Sequence, residues 1–378
     1  MPPKINIGKV AVSVAATAEL AASNTTTKVS PQIAIPSLLK ANVTPSATKA
    51  PFFPRLVFPK YNINLSGFQG HHRTGLQRMY QIGPQVDLVF EVRDARAPLS
   101  TRNGLFERAL GNKEKIILYA KNDLSRLQTK ILESWHPEGN YILIDCRSEK
   151  DAHRILGIAR KKFGERFPPP PLGINLLITG MPNVGKSTLI NTLRSLNDKQ
   201  SKKVAATGGQ AGVTKAVSEK IRLCRDPSIY IFDSPGIFVA STVDQNTMIK
   251  LAIIGAVKNN HVDPYIQADY LLFCLNKNDP TGRAYRDILP EPTNNVHKLL
   301  FAIAKKIKKV RRGNDFDEIG SAMWWIDRFR QGKGARILLD DCTIDAYEEF
   351  TIMEKENLDR FKMDLQSEIK GRKKYFLF

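Results

Sequence analysis

The stretch Ile174-Asn-Leu-Leu-Ile-Thr-Gly-Met-Pro-Asn-Val-Gly-Lys-Ser-Thr-Leu-Ile190 decides the fold. Its first six residues are an apolar strand pattern, and the strand runs straight into a glycine-rich turn and a helical pattern from Thr188 to Leu196. Gly180 to Ser187 fits GxxxxGK[ST], a loop whose glycines let backbone N–H groups point at phosphates. In that reading Pro182, Asn183, Val184 and Gly185 form the cradle, Lys186 reaches the β/γ oxygens and Ser187 binds Mg²⁺. Thr188 continues the helix whose positive end faces the anion.

Two further pieces follow at suitable spacing. Ile229-Tyr-Ile-Phe232 reads as a strand ending in Asp233-Ser-Pro-Gly236, where Asp233 serves the Mg²⁺ shell and the Gly236 N–H a γ-phosphate. Between them Gly209-Gln-Ala-Gly-Val-Thr214 is a glycine-rich loop, read as a switch with Thr214 closing over the metal.

A guanine reader needs Asn/Thr-Lys-x-Asp, and there are two candidates. Asn276-Lys-Asn-Asp279 matches fully and follows the phosphate loop; Ala120-Lys-Asn-Asp123 matches less well and precedes it. Topology favours the second. Between Gly236 and Asn276 there is room for one helix but not for helix–strand–helix, while strands at Val86–Val92 and Lys115–Tyr119 stand upstream. Asp123 closes a strand, where ligand contacts in open α/β sheets belong. Lys121, Asn122 and Asp123 are therefore the base-reading candidates, and 276–279 is expected to be a helix end.

The surrounding chain has 57 Lys+Arg against 37 Asp+Glu in 378 residues, a net +20 that makes a polyanion the default partner. Strands and helices alternate from Val86 onward: helices at Leu105–Leu110, Thr129–Trp135 and Ala152–Phe163, and a strand at Tyr141–Ile144. The pattern predicts an α/β fold with a doubly wound, mostly parallel sheet. Beyond about Val243 helical patterns take over, at Thr247–Lys258, Asn295–Val310, Gly320–Arg330 and Ala346–Lys370. The expected division is a basic tail over 1–60, a nucleotide domain over 61–243 and an α-helical C-terminal domain over 244–378. The first 86 residues hold one acid, Glu19, and nine Lys or Arg, and the tail is Ser-rich, the composition of an organelle transit peptide. A disordered basic tail touching RNA is the plainer alternative. Cys146, Cys224, Cys274 and Cys342 lie far apart without a CxxC pair, so reduced thiols are expected. No apolar run approaches the roughly 20 residues of a bilayer span. Lys305-Lys-Ile-Lys-Lys-Val-Arg-Arg312, six basic residues in eight, reads as a helix laying a basic face on phosphate backbone, and Lys199, Lys202 and Lys203 beside the switch loop are further candidates.

The order base motif, phosphate loop, switch loop, DxPG is a circular permutation of the usual GTPase order. With Phe68-Gln-Gly-His-His72, Asp87-Leu-Val-Phe-Glu-Val-Arg-Asp-Ala-Arg-Ala-Pro98, Ala211-Gly-Val-Thr214, Phe329-Arg-Gln-Gly-Lys-Gly334 and Leu338-Leu-Asp-Asp341, the chain resembles the circularly permuted GTPases of the YlqF type. The likeness is greatest to mitochondrial members that assist large-subunit assembly. The resemblance implies a permuted P-loop GTPase domain followed by a helical RNA-binding domain, GTP/GDP and Mg²⁺ as ligands, and slow hydrolysis that the ribosome accelerates. It implies a base-contacting loop at Cys146, a role for His71 in orienting water because Ile237 stands where other GTPases carry Gln, and K⁺ bound through Asn183. The large mitochondrial ribosomal subunit and its rRNA are the implied partners, in the matrix and peripheral to the inner membrane; no DNA partner is expected. Ala120 in place of Asn or Thr, Ala211 in place of Pro and Gln69 in place of Pro depart from the family pattern. Two other readings use the same residues: a non-hydrolytic RNA chaperone with a structural nucleotide site, and another P-loop ATPase or kinase.

Overall fold

Leu88–Asp94 forms strand β1, and all seven of its residues are buried. It lies inside a six-stranded sheet, flanked by β2 (Glu114–Ala120) and, further along the chain, β4 (Ile174–Gly180). With β3 (Tyr141–Leu143), β5 (Ile221–Arg225) and β6 (Ser228–Asp233), the order is β3-β2-β1-β4-β6-β5. All neighbours are parallel except β5, which runs antiparallel to β6 at the edge. The computed structural model describes residues 51–68, 70–197, 220–233, 236–239, 241–258, 260–310 and 315–375.

The helices are α1 (Gly70–Ile82), α2 (Leu105–Leu110), α3 (Thr129–Trp135), α4 (Glu149–Gly164) and α5 (Lys186–Asn197). They are followed by α6 (Gln245–Ile254), α7 (Pro264–Asn278), α8 (Val296–Lys306), α9 (Glu318–Arg330) and α10 (Ile344–Tyr375). Several of their starts carry side-chain caps that satisfy otherwise orphaned N–H groups. Ser148 accepts from Asp151 N, Asp244 from Thr247 N, Asn295 from Lys298 N and Asp317 from Gly320 N. The parallel sheet buries both faces, which explains its Ile/Leu/Val-rich strands. Its largest core cluster runs on from Leu88, Leu118, Leu176 and Ile231 in the sheet to Met248, Leu271, Leu299 and Trp325 in α6 to α9. Among the described residues no helix is long and apolar enough to cross a membrane.

Several expectations are corrected. The helix expected over Asn295–Val310, with its basic run to Arg312, ends at Lys306. Lys308 adopts a left-handed φ of 57°, Lys309 N donates to Ala304 O (2.8 Å) and Lys308 N to Lys305 O (3.2 Å), a Schellman stop made without glycine. Val310 then bridges to Phe316, and Arg311 and Arg312 lie outside the described residues. The helix expected to reach Lys258 stops at Ile254 for the same reason. Gly255 takes φ 83° and Ala256 N closes onto Leu251 O at 2.8 Å. Where one helix was expected between Gly236 and Asn276 there are two, α6 and α7, with no strand between them among the described residues. The edge strand β5 and helix α1 are additions to the expected set. Ahead of β1, Phe58 is buried, and both Arg55 terminal nitrogens hold Asp269 in α7 (3.0 and 2.6 Å).

Candidate nucleotide site

The turn after β4 has the shape its glycines demand. Gly180 sits at φ +150°, and a Cβ there would lie 2.3 Å from Val92 O; Gly185, at φ +117°, would place one 2.9 Å from Cys146 Sγ. Only glycine fits either place. Between them Asn183 holds a left-handed φ of 57°, a conformation costly for a non-glycine residue, and its Nδ2 donates to Gly255 O at 2.8 Å. Pro182 and Val184 are buried, and α5 begins at Lys186, with Ser187 and Thr188 half-buried in its first turn. Lys186 is 6% exposed, and its Nζ donates to Met181 O at 2.7 Å, so the ammonium lies within the loop's own curl.

The base-reading loop arrives from the next strand but one. β2 ends at Ala120, Lys121 takes a left-handed φ of 59°, and the exposed Asp123 lies in a single turn of 3₁₀ helix over Asn122–Leu124. Lys121 Nζ donates to Asn183 O at 2.8 Å and to Asp94 Oδ2 at 2.9 Å. The motif chosen by topology is therefore bonded to the phosphate loop. The rival Asn276 is buried at the end of α7, its side chain taken up by Thr293 O and Tyr285 Oη, and Asp279 caps that helix. Cys146, between β3 and α4, packs against Gly185, and its carbonyl accepts from Thr192 Oγ1 of α5 at 2.8 Å. Burial pushes its thiol up to about 12, so it is a neutral group.

Asp94 and Arg96 were quoted from the sequence only as part of a likeness, yet they position Lys121. Arg96 Nε and Nη2 grip the two Asp94 oxygens at 3.0 and 2.8 Å, both residues being essentially inaccessible. Burial alone would raise the Asp94 carboxyl; the Arg96 and Lys121 charges outweigh it and hold it well below the usual carboxylate range. Burial lowers the Lys121 ammonium, and Asp94 partly offsets that. The available signal was chemical: charges inside an apolar strand pattern, Glu91-Val-Arg-Asp-Ala-Arg96, must be paired when buried.

The DxPG segment closes the third side. Asp233 ends β6, paired with Ile178 two residues before Gly180, and its side chain lies outside the described set. Gly236 backs onto the phosphate loop, where a Cβ would lie 2.8 Å from Pro182 Cα and 3.1 Å from Lys186 Nζ. Thr214, the rest of the expected switch loop, and Lys199, Lys202 and Lys203 lie outside the described residues. His71 in α1 lines a small cavity with His72, Pro182, Phe238 and Lys258. Burial, then Lys258, lowers the His71 pKa; His72 is pushed down to about 4 by burial, then by His71 and Lys258. Both imidazoles are neutral at physiological pH. The narrow cradle that any Cβ would fill, and the hard-oxygen donors Ser187 and Asp233, fit a magnesium-bound nucleoside triphosphate.

A phosphate loop after the central strand, with its base-reading loop supplied from an upstream strand, defines a circularly permuted P-loop GTPase. Comparison with known proteins agrees. The family model for 50S ribosome-binding GTPases matches residues 175–306. Mitochondrial GTPase 1 of Saccharomyces cerevisiae is 39% identical over 328 residues, 79% of this chain and 87% of the relative. Mitochondrial ribosome-associated GTPase 1 of Ictalurus punctatus is 34% identical over 294 residues, 72% of this chain and 91% of the relative. The crystal structure of GNP-bound YlqF from T. maritima aligns with TM-score 0.46 at 22% identity, covering 68% of this chain and 93% of that one. The chain belongs to the mitochondrial GTPase 1 family and is a GTPase, hydrolysing GTP to GDP and phosphate.

Proposed function

We propose that the protein is an assembly factor for the large subunit of the mitochondrial ribosome that binds ribosomal RNA in a nucleotide-dependent way. One observation carries the site: Lys121 Nζ on Asn183 O at 2.8 Å, which sets the base-reading loop beside the phosphate loop. In this reading Asp123 accepts from guanine N1 and N2, Lys121 packs over the ring, and Asn122 and Cys146 complete the base pocket. Pro182 to Thr188 cradle the phosphates. Ser187, Thr214 and Asp233 would hold Mg²⁺, which would supply charge neutralisation for the phosphates. Lys186 stabilises the transferring phosphoryl group, and Gly236 N–H senses it. Ile237, buried where a glutamine would orient water, cannot act, so neutral His71 takes that role. In this reading Asn183 also holds K⁺.

The relatives' names carry mitochondrial ribosome association to this chain, and the net +20 charge supports an RNA partner. The 1–60 segment acts as the mitochondrial address, 61–243 as the GTPase module and 244–378 as the helical RNA-binding part, in the matrix and peripheral to the inner membrane. The test is the GTPase rate in K⁺ buffer with and without large mitoribosomal subunits, with Asp123→Asn assayed on GTP and xanthosine triphosphate. Stimulated turnover is expected, with preference shifted at least ~100-fold toward the xanthine nucleotide. A variant that keeps guanine selectivity would sink the base-site assignment; absence of stimulation would sink the ribosomal one.

A further inference from the structure

A hollow in the C-terminal region borders the base-reading loop, whose neighbour Arg126 lines it. It is a cavity of about 520 Å³ whose charged lining is Arg126, Arg283, Arg328, Arg336, Asp279 and Asp287. Its acids are already satisfied. Asp287 accepts Arg328 Nη1 and Nη2 at 2.9 and 3.0 Å and Lys306 Nζ at 2.8 Å; Asp279 accepts Thr281 N and Oγ1 at 3.0 and 2.7 Å. Its cations are less fully engaged: the guanidinium groups of Arg126, Arg283 and Arg336 make no hydrogen bond or salt bridge among the described residues, and Arg283 acts on Asp279 only through its charge. Arg328 Nε is buried without a hydrogen-bond partner, facing Gly334 on the cavity wall, where a Cβ would lie 3.9 Å away. Guanidinium groups converging on one hollow match phosphate oxygens in geometry and charge.

The geometry points to this cavity as a binding site for backbone phosphates of the RNA partner, a deepening that rests on the RNA-binding reading above. A polymer is favoured over a free phosphate by charge continuity. Lys306, which shares Asp287 with Arg328, belongs to the exposed run Lys305, Lys306, Lys308, Lys309, so a basic track leads from α8 into the hollow. The site also touches nucleotide recognition. Arg126 is three residues from Asp123, and Gly332, two residues before the cavity wall at Gly334, packs so closely that a Cβ would lie 2.5 Å from Leu124 Cδ2. An RNA strand seated here bears on the base-reading loop, and by linkage each ligand alters the other's affinity by the same factor.

The test uses the full chain and a short fluorescein-labelled single-stranded RNA of mixed sequence, titrated over a range of KCl, with inorganic phosphate as competitor at matched ionic strength. The triple variant Arg126→Ala/Arg283→Ala/Arg336→Ala is compared with a control of equal charge loss, Arg78→Ala/Arg225→Ala/Lys355→Ala, after both show wild-type melting curves. Expected are a loss of about tenfold or more for the cavity variant only, a slope of log affinity against log salt shallower by about 2, and no specific displacement by phosphate. Equal losses in the two variants, or displacement of the RNA by phosphate at matched ionic strength, would overturn the cavity and leave the RNA reading intact. A wild-type protein that binds no RNA would overturn both.

Discussion

Asp94 is a carboxylate with no access to solvent whose two oxygens hold Arg96 and Lys121. Asp94→Ala leaves the Arg96 guanidinium buried without its counter-charge, a loss of about 3–5 kcal/mol in urea unfolding. Lys121 loses one of its two anchors, and GDP affinity measured by fluorescence titration falls about tenfold. The same scale sets a pH dependence. Burial pushes both His72 and His136 down to about 4, below the usual histidine value of about 6.5. Their neutral forms stabilise the fold fully above about pH 6.5, and that stability is lost as pH falls toward 4 because the unfolded chain binds the protons first. By pH 5 each costs about 2 kcal/mol. Urea unfolding at pH 7 and 5 should show the difference, and His136→Gln, which keeps a partner for Tyr119 Oη, should remove about half of it. Local conformation was legible where spacing carries it, as in the glycine turn from Gly180 to Gly185. Asp94 and Arg96 were not, because their partners, Lys121 in particular, are distant in the chain and pairing shows only once the strands are adjacent.

At the scale of elements, the loop between β1 and α2 is stapled to the chain's far end. Asp340 accepts from Leu99 N (2.8 Å), Ser100 N (2.9 Å) and Ser100 Oγ (2.6 Å), and pairs with Lys250 Nζ of α6 (3.1 Å). In α10, Glu354 accepts from Gly104 N at 2.7 Å and pairs with Arg102 at 2.7 Å. Asp340→Ala orphans two buried backbone donors and a buried ammonium at once, so it should cost about 3–5 kcal/mol and loosen this loop first. Amide hydrogen exchange at Leu99 and Ser100 would rise before global unfolding; unchanged protection there would contradict the staple. Helix interiors followed their 3.6-residue pattern, but the ends of α6 and α8 did not. Gly255 stops α6 two residues before the apolar pattern does, as glycine readily does at that position, whereas Lys308 stops α8 by a conformation that propensity disfavours, so there the closing hydrogen bonds outweigh local preference.

For the whole molecule, the permuted order was legible because it is a matter of counting. Among the described residues no strand follows Gly236, and three strands precede β4; the sheet order β3-β2-β1-β4-β6-β5 places them accordingly. Less legible was how the GTPase portion meets the C-terminal helices, since composition marks a change near Val243 but says nothing of what packs across it. The structure joins the two throughout. Their apolar residues form one continuous cluster, Asn183 bonds Gly255, Leu339 N donates to Arg96 O at 2.8 Å, and Arg96 lies 5.5 Å above the Phe329 ring. A chain cut after Val243 would strip cover from Phe238 and the base-reading loop together. We expect calorimetry of the full chain to show a single transition that GDP moves upward as a whole. We expect the 1–243 fragment to bind a hydrophobic dye and lack near-ultraviolet circular dichroism, the signature of lost packing. Two separate transitions, with GDP raising only one, would mean that the shared core does not couple the parts.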